Sequence, residues 1–441
     1  MIKPLSISVA LISLVALLTT SCAQIQPDGS ASGANIAWDW TGIIGTGQSL
    51  AVGQNASAIA STNQPYHNLK LSTDNLQWPI DPANPALKLV LLIEPIGRHG
   101  TGGWPTNVDG ETPHSAMANE LTALVEQNFK HDFVSVHTEV GENGRGMALI
   151  KKDATMTARG NGHAFEGSLV ETKAIARFAK AARKSFGVGA ITITHGESDS
   201  GNAQYENLLH QLWQDYNTDI PPITGQTNKI LMIVSQQHGA QGNRSPSTIA
   251  QWKVGVDYPD DIVCSGPKYQ YPSGEGLHLT TEGYRELGEK YAQVYYERVI
   301  LGNHWLPLEP EKITRDSQVL TVQFHVPVAP MVWDTNMSDP HQATAEWKNG
   351  KGFEVTSADG QRVAIDSVEI KDDTVVIKCA ADPGANVRVS YALYQDGRTR
   401  MTKPYGGFAH WGTLRDSDPF QGAVTGKVQP NYAVAFEMTV P

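Results

Sequence analysis

Residues 271–291 read YPSGEGLHLTTEGYRELGEKY, and the order of residue types within them decides how the rest of the chain is read. Glu275 stands three residues before His278 in a glycine-containing turn, and a pair of threonines follows. Tyr284, Leu287, Tyr291, Val294 and Tyr295 then recur at three- and four-residue steps, the apolar stripe of a helix predicted over 281–300. Leu279-Thr280-Thr281 reads as the exit from the turn, the cap and the helix start. A carboxylate on a turn can hold a nearby imidazole for proton transfer, so one segment supplies two members of a catalytic triad. The third member stands far upstream, in Ile43-Ile44-Gly45-Thr46-Gly47-Gln48-Ser49-Leu50, where an apolar run ends in glycines and delivers a serine. Gly47 permits a sharp turn, and Leu50-Ala51-Val52 is expected to begin a helix whose N–H groups face the serine oxygen. A serine hydroxyl needs an adjacent base, and that base a third group to hold it. The two segments together suggest nucleophilic ester hydrolysis.

Between residues 36 and 300 short apolar runs alternate with longer amphipathic ones. Strands are predicted at 41–44, 87–94, 133–140, 190–194 and 229–235, and helices at 115–128, 167–186, 204–216 and 247–254. Strand and helix in turn, with unbroken apolar strands, indicate a parallel sheet covered on both faces. Such sheets bind ligands beyond the carboxyl ends of their strands, where Ser49 and the residues after Thr194 fall. After Gly302 the character changes. Residues 305–310 read as a linker, and from Lys312 short alternating runs dominate, at 319–326, 363–370, 373–378, 387–394 and 433–440. Asp359-Gly360 and Asp396-Gly397 suit tight turns between them. Residues 306–441 are therefore expected to form a β-sandwich.

At 441 residues two domains are expected. A formal charge of −11 with no basic run excludes a nucleic-acid surface, which needs clustered Lys and Arg. Lys3 followed by an apolar stretch over 7–18 fits a signal peptide (1–22), too short for a membrane span. Ser21-Cys22-Ala23 reads as an A-x-A-like cleavage site that would release a soluble protein, whereas a lipobox reading of 18–22 would lipidate Cys22 and provide the sole link to a membrane. Residues 23–35 then read as a flexible tether. Export places the protein in the periplasm, on the outer membrane or outside a bacterial cell. Cys264 and Cys379 fall in different predicted domains and are expected to be buried thiols, not a disulfide. The 14 histidines include no H-E-x-x-H and no Cys/His cluster, so neither metal nor cofactor is expected.

A third polar block, Thr194-His195-Gly196-Glu197-Ser198-Asp199, directly follows the run at 190–194; Ser198 or Asp199 also suits a helix cap. Gly47-Gln48-Ser49, His195-Gly196-Glu197-Ser198-Asp199 and Glu275-Gly276-Leu277-His278, in this order, resemble the SGNH-hydrolase superfamily in its sialate O-acetylesterase and carbohydrate-esterase branch. That branch shows GQS at the nucleophile, HQGESD after a central strand and DxxH near the end. The resemblance covers residues 36–302 and implies a flavodoxin-like three-layer α/β/α domain. It implies Ser49 as nucleophile, His278 as general base and Glu275 as the group orienting it. The oxyanion would be held by the Ser49 N–H, by a glycine N–H after the third strand (Gly144 ahead of Gly146) and by a donor from the HGESD block. Glu275 stands where Asp is usual, and His195 replaces the glutamine, so His195 can serve the oxyanion only through a ring N–H or else is a packed structural histidine.

Gln48, Glu197, Arg98, Trp104 and Trp411 are the candidates for holding substrate: Arg98 and Trp104 lie in a loop after the second predicted strand, and Trp411 in a Gly-rich aromatic stretch at 405–412 that alternatively plugs the sandwich. The resemblance implies an exported esterase removing O-acetyl groups from poly- or oligosaccharides, without a cofactor. A general esterase or lipase on the same fold, and an inactive carbohydrate-binding protein, remain alternatives. Neither oligomeric state nor the hydroxyl deacetylated is written in the sequence.

Overall fold

A computed structural model describes residues 33–73, 76–97, 110–157, 161–239, 245–274, 277–337, 345–393 and 411–440. Seven strands, β1 (Trp40–Gly47), β2 (Leu69–Ser72), β3 (Lys88–Leu91), β4 (Ser135–Glu139), β5 (Phe186–Thr194), β6 (Leu231–Gln236) and β7 (Ile262–Pro267), form one sheet in the order β3-β2-β4-β1-β5-β6-β7. Every neighbouring pair is parallel except β2 with β3. The sheet is thus mixed, with an antiparallel edge on the parallel body that the sequence implies. β4, β5, β6 and β7 are buried along their whole length; β5 and β6 accordingly carry apolar residues on both faces, whereas β4 buries the polar run Ser-Val-His-Thr-Glu.

Side chains still alternate between the two faces. Ile43, Ala190, Ile233 and Val263 pack beneath α1 (Pro113–Phe129) and α7 (Thr281–Tyr295). Ile44, Ile191, Met232 and Val234 pack on the other face, beneath α3 (Ala164–Ala182), α4 (Tyr205–Asp219) and α6 (Pro246–Asp257). Two single-turn helices, α2 (Met147–Ile150) and α5 (Pro221–Thr224), complete these layers. β1 lies between β4 and β5, where the strand order reverses, and the crevice at such a switch point is where doubly wound sheets bind ligands.

The expected helix over 167–186 ends earlier, at Ala182, because Arg183 adopts a left-handed cap with φ 58°. Phe186 is instead the first residue of β5, four residues ahead of the expected start. Gly187 and Gly189 hid that extension, since glycine weakens any strand signal. β2 and β7 were not anticipated: one is only four residues long, and the other ends in Ser-Gly-Pro, which reads as a turn.

After Ile300 the sheets turn antiparallel. Glu309–Asp316, Val319–His325, Thr374–Cys379 and Ile365–Lys371 form one four-stranded sheet, and Arg362–Val363, Phe353–Thr356, Val387–Tyr391 and Phe436–Val440 form another. Leu320, Val322 and Phe324 point into the space between them, alternating with partly exposed neighbours. The expected linker at 305–310 is instead partly strand, for Leu308 is fully buried and Glu309 begins the first strand and accepts the Trp252 indole N–H at 2.8 Å. Trp252, Cys264 and Tyr269 of the α/β part sit inside the sandwich core.

A return segment binds the two architectures further. The buried Glu289 carboxylate of α7 accepts the N–H groups of Val424 (2.8 Å) and Thr425 (2.6 Å) and the Thr425 hydroxyl (2.6 Å). Glu120 of α1 accepts the Ala423 N–H at 2.6 Å, and Lys290 donates to the Gln429 carbonyl and Asn431. Residues from Ala34 onward accordingly form one compact unit, with no break in packing near residue 305. Cys264 and Cys379 are both buried free thiols.

Candidate active site

The residues singled out by sequence rise from the carboxyl ends of adjacent strands. β1 ends in Gly47 with φ 140°, a conformation open to glycine, and a Cβ there would overlap the Thr194 carbonyl oxygen. That carbonyl accepts the Gln48 N–H at 3.2 Å, so the close approach of β1 and β5 sets where the next residue emerges. Ser49 follows, with 4 % of its surface exposed. Residues 49–55 continue as tight turns and not as the expected helix, with Ala51 N–H on the Gln48 carbonyl (2.8 Å) and Gln54 N–H on the Ser49 carbonyl (3.0 Å).

The His278 hairpin is held against these turns. Gly274 N–H donates to the His278 carbonyl (3.1 Å) and Thr280 N–H to the Pro272 carbonyl (2.9 Å), closing the hairpin. Thr280 caps α7 through its hydroxyl on Gly283 N–H, as the sequence implied. Thr281 Oγ1 donates to the Ala58 carbonyl (2.7 Å) and Tyr284 Oη to the Gln54 carbonyl (3.0 Å). The half-buried His278 thus stands beside the segment that carries Ser49. Glu275 lies outside the described residues, as do Arg98 and Trp104.

Asn55 places its side-chain amide 3.4 Å from His278 Nδ1. Gln54 Nε2 reaches Asn55 Oδ1 at 3.0 Å, and Asn143 Nδ2 reaches Gln54 Oε1 at 2.5 Å. All three amides run in one sense, and turning all three over preserves these three contacts, because amide O and N are interchangeable in shape. In the turned-over sense the His278 Nδ1–H donates to Asn55, the tautomer in which Nε2 carries the lone pair that can take a proton.

Three of the candidate residues are engaged within the protein. His195 is fully buried, and its Nε2 donates to the Arg145 carbonyl (2.9 Å) while Nδ1 meets the Tyr205 hydroxyl (2.6 Å). Burial also keeps the ring below its usual pKa, hence neutral. A neutral imidazole has one N–H, and the loop after β4 takes it, so His195 fits the packed alternative and not the oxyanion one. Gln48 turns inward, accepting the Ser198 N–H on Oε1 at 3.0 Å, and so ties the Ser49 segment to the HGESD turn. Trp411 is 4 % exposed and packs on Tyr269 in the sandwich core, the plugging alternative.

Glu197 also has a protein partner. Its carboxylate lies 3.3 Å from the ammonium of Lys268, a fully buried residue just past β7, as a charge contact without aligned hydrogen-bond geometry. Burial lowers the Lys268 pKa, opposed by the Glu197 charge. Lys268 begins the stretch that leads to His278, with its N–H on the Gln236 carbonyl at 3.1 Å. Leu277, next to His278, packs its side chain directly over Gly239. Gly196 in the same turn has φ 121° and is pressed against Gln237 and Gln251. The HGESD block is therefore a strut, with Ser198 reaching toward Ser49 and Glu197 toward the His278 hairpin. Asp199 Oδ2 accepts the Met147 N–H (2.6 Å), so it caps α2 and not its own helix.

The loop after β4 is set from below. Glu139 accepts the Gly141 N–H on Oε1 (2.6 Å) and meets His114 Nε2 on Oε2 (3.1 Å). His114 Nδ1 is 2.9 Å from His137 Nδ1, and His137 Nε2 is 2.9 Å from Ser135 Oγ. Gly141 N–H is spent on this chain. Gly144, with φ 67°, stands exposed at the rim with open space around it. Charged residues closing a predicted strand, such as Glu139, were the available sign of this layer; nothing in the sequence marked Asn55 or Lys268.

Burial, reinforced by the Glu139 charge, raises the Glu171 carboxyl to about 8. Its folded pKa exceeds the unfolded one near 4.5, so the folded protein holds the extra proton between those values. The contribution is present below about pH 4.5 and is lost as pH rises through 8. Glu171→Gln should therefore flatten the fall of the melting temperature between pH 6 and 9, measured by calorimetry. An unchanged slope would show that Glu171 does not titrate there.

No family model matches the sequence, and no curated protein matches it. Among solved structures, a carbohydrate acetylesterase from Xanthomonas citri is similar over 90 % of this chain and 80 % of its own, at 12 % identity and a TM-score of 0.51. A carbohydrate acetylesterase from Sinorhizobium meliloti covers 58 % of this chain and 97 % of its own at 14 % identity and a TM-score of 0.31. NanS covers 60 % and 98 % at 10 % identity and 0.35. The two lower scores carry no weight here, and the first likeness is one of architecture. This chain has the fold of the Xanthomonas enzyme: a mostly parallel sheet between helical layers, followed by antiparallel sheets.

Proposed function

We propose that this protein is a serine-type carbohydrate esterase, exported by a signal peptide over residues 1–22, that removes O-acetyl groups from poly- or oligosaccharides. The observation that carries it is the convergence of the Ser49 turns, the Gly196–Ser198 block and the His278 hairpin at the switch point of the sheet. Ser49 Oγ attacks the acetyl carbonyl as His278 Nε2 takes its proton. Glu275 orients the imidazole, with Asn55 as a second support at Nδ1. The Ser49 and Gly144 N–H groups hold the oxyanion, each such donor contributing roughly 10²-fold or more in rate. The sugar hydroxyl leaves with the proton from His278, and water then cleaves the acetyl-enzyme with the roles reversed. The Xanthomonas protein of similar fold is itself a carbohydrate acetylesterase.

The test is acetate release from acetylated xylan and from acetylated monosaccharides by the wild type, Ser49→Ala and His278→Ala. Both variants should lose at least about 10³-fold in kcat with melting temperatures within a few degrees of the wild type. Turnover retained in either would refute the assignment. Saccharide binding without Ser49-dependent turnover would favour an inactive binding protein, a reading to which the spent His195 N–H contributes.

A further inference from the structure

At the amino ends of β1, β5 and β6, the end of the sheet away from Ser49, lies a cavity of about 220 Å³. Gly189 of β5 lines it, and Gly187 lies under the Trp38 indole that forms another wall. Gly187 and Gly189 are two residues apart and so face the same side of the strand. A Cβ on Gly187 would overlap the indole of Trp38, and one on Gly189 would overlap the hydroxyl of Tyr295. Glycine weakens a buried central strand, and here the absent side chains leave room for one indole and one phenol, both lining the cavity.

Tyr295 is the unusual member of the α7 stripe. Tyr284 donates to the Gln54 carbonyl, and Tyr291 is shared between Thr194 and Ser235. Tyr295 is 1 % exposed, yet its hydroxyl has no hydrogen-bond partner among the described residues, and burial acts on it without any compensating bond. Buried phenols ordinarily find a partner. The hydroxyl instead points over Gly189 into the cavity.

The charges at the rim are already compensated. Lys229 Nζ is 2.7 Å from Asp261, and Arg298 donates to the Trp305 and Pro259 carbonyls with Asp260 nearby. Compensated cations are poor hosts for a phosphate or carboxylate. A half-buried indole, a phenol hydroxyl on the floor and the exposed Asn228 at the rim instead suit a neutral ring with an apolar face and several hydroxyls. We propose that this cavity is a second binding site, separate from the Ser49 crest, that takes a single neutral pyranose residue with its C–H face on Trp38 and a hydroxyl on Tyr295.

The site does not depend on the esterase assignment, and its test is independent of turnover. Glucose, galactose, mannose, xylose and N-acetylglucosamine are titrated into the full chain and followed by saturation-transfer NMR and tryptophan fluorescence. At least one should bind, and Tyr295→Phe and Trp38→Ala should each weaken that binding tenfold or more. Tyr295→Phe keeps the ring and its packing, so its melting temperature checks that the fold is intact. Acetate release, if present in the wild type, should be unchanged in both variants. Absence of binding by all five sugars, or binding equally tight in both variants, would overturn the proposal.

Discussion

Lys268→Met is expected to destabilise the protein severely, and the double variant Lys268→Met/Glu197→Gln to regain most of that stability without regaining activity. The single change strands the Glu197 carboxylate in a site where the ammonium 3.3 Å away is its charge partner. Breaking a buried pair this way costs about 3–5 kcal/mol, whereas replacing both charges by neutral groups of similar volume is often close to neutral. Activity follows a different rule. The pair joins the turn that touches Gln48 to the residue from which the His278 hairpin departs, so its loss lets Ser49 and His278 drift apart. A misplacement of about 1 Å can cost roughly 10²-fold. The double variant should therefore melt within a few degrees of wild type while kcat falls at least tenfold and KM changes little. Thermal melts and steady-state kinetics on one acetyl ester decide it. Recovery of kcat together with stability would make the pair a packing feature alone.

Gly47→Ala should have the second large effect, and here fold and chemistry fail together. The φ of 140° is strained for any residue with a Cβ, and that Cβ would press into the Thr194 carbonyl oxygen. Strain of about 1–3 kcal/mol and overpacking of similar size add at one position. The gap between β1 and β5 must open, and the Gln48–Thr194 hydrogen bond that aims Ser49 is lost. A shift in urea midpoint corresponding to about 3 kcal/mol or more is expected, with activity reduced beyond the loss of folded protein. Gly144→Ala is the control: its φ of 67° costs about 1–2 kcal/mol, but its surroundings are open. A Gly47→Ala protein as stable as Gly144→Ala would contradict the account of the turn.

The α/β architecture was legible because β6 is buried on both faces and opens with four apolar residues, because β1 and β5 keep apolar centres at Ile43-Ile44 and Ala190-Ile191, and because the α7 tyrosines keep helical spacing. The cap at Thr280 was readable from residue type alone. What failed has physical causes. β5 starts four residues early because its glycines make room for Trp38 and Tyr295, a tertiary reason with no local trace. The motif placed Gln48 with the substrate and left His195 between oxyanion donor and packed histidine, because a motif does not state which way a side chain points; both turn into the protein. Lys268 lies about 70 residues from Glu197 in sequence, and only the sheet order β5-β6-β7 brings them together. Trp411 lay in a stretch whose exposure sequence could not tell, and tertiary packing buries it against Tyr269.

The central claim is that Ser49 is the nucleophile, and covalent capture tests it most directly. The full chain is treated with a fluorophosphonate that phosphonylates activated serines, then digested, and the modified peptide is located by mass spectrometry. The account predicts one equivalent of label, carried on Ser49, prevented by Ser49→Ala and strongly slowed by His278→Ala. Label on another residue, or undiminished acetate release from a chain that takes no label at Ser49, would contradict it.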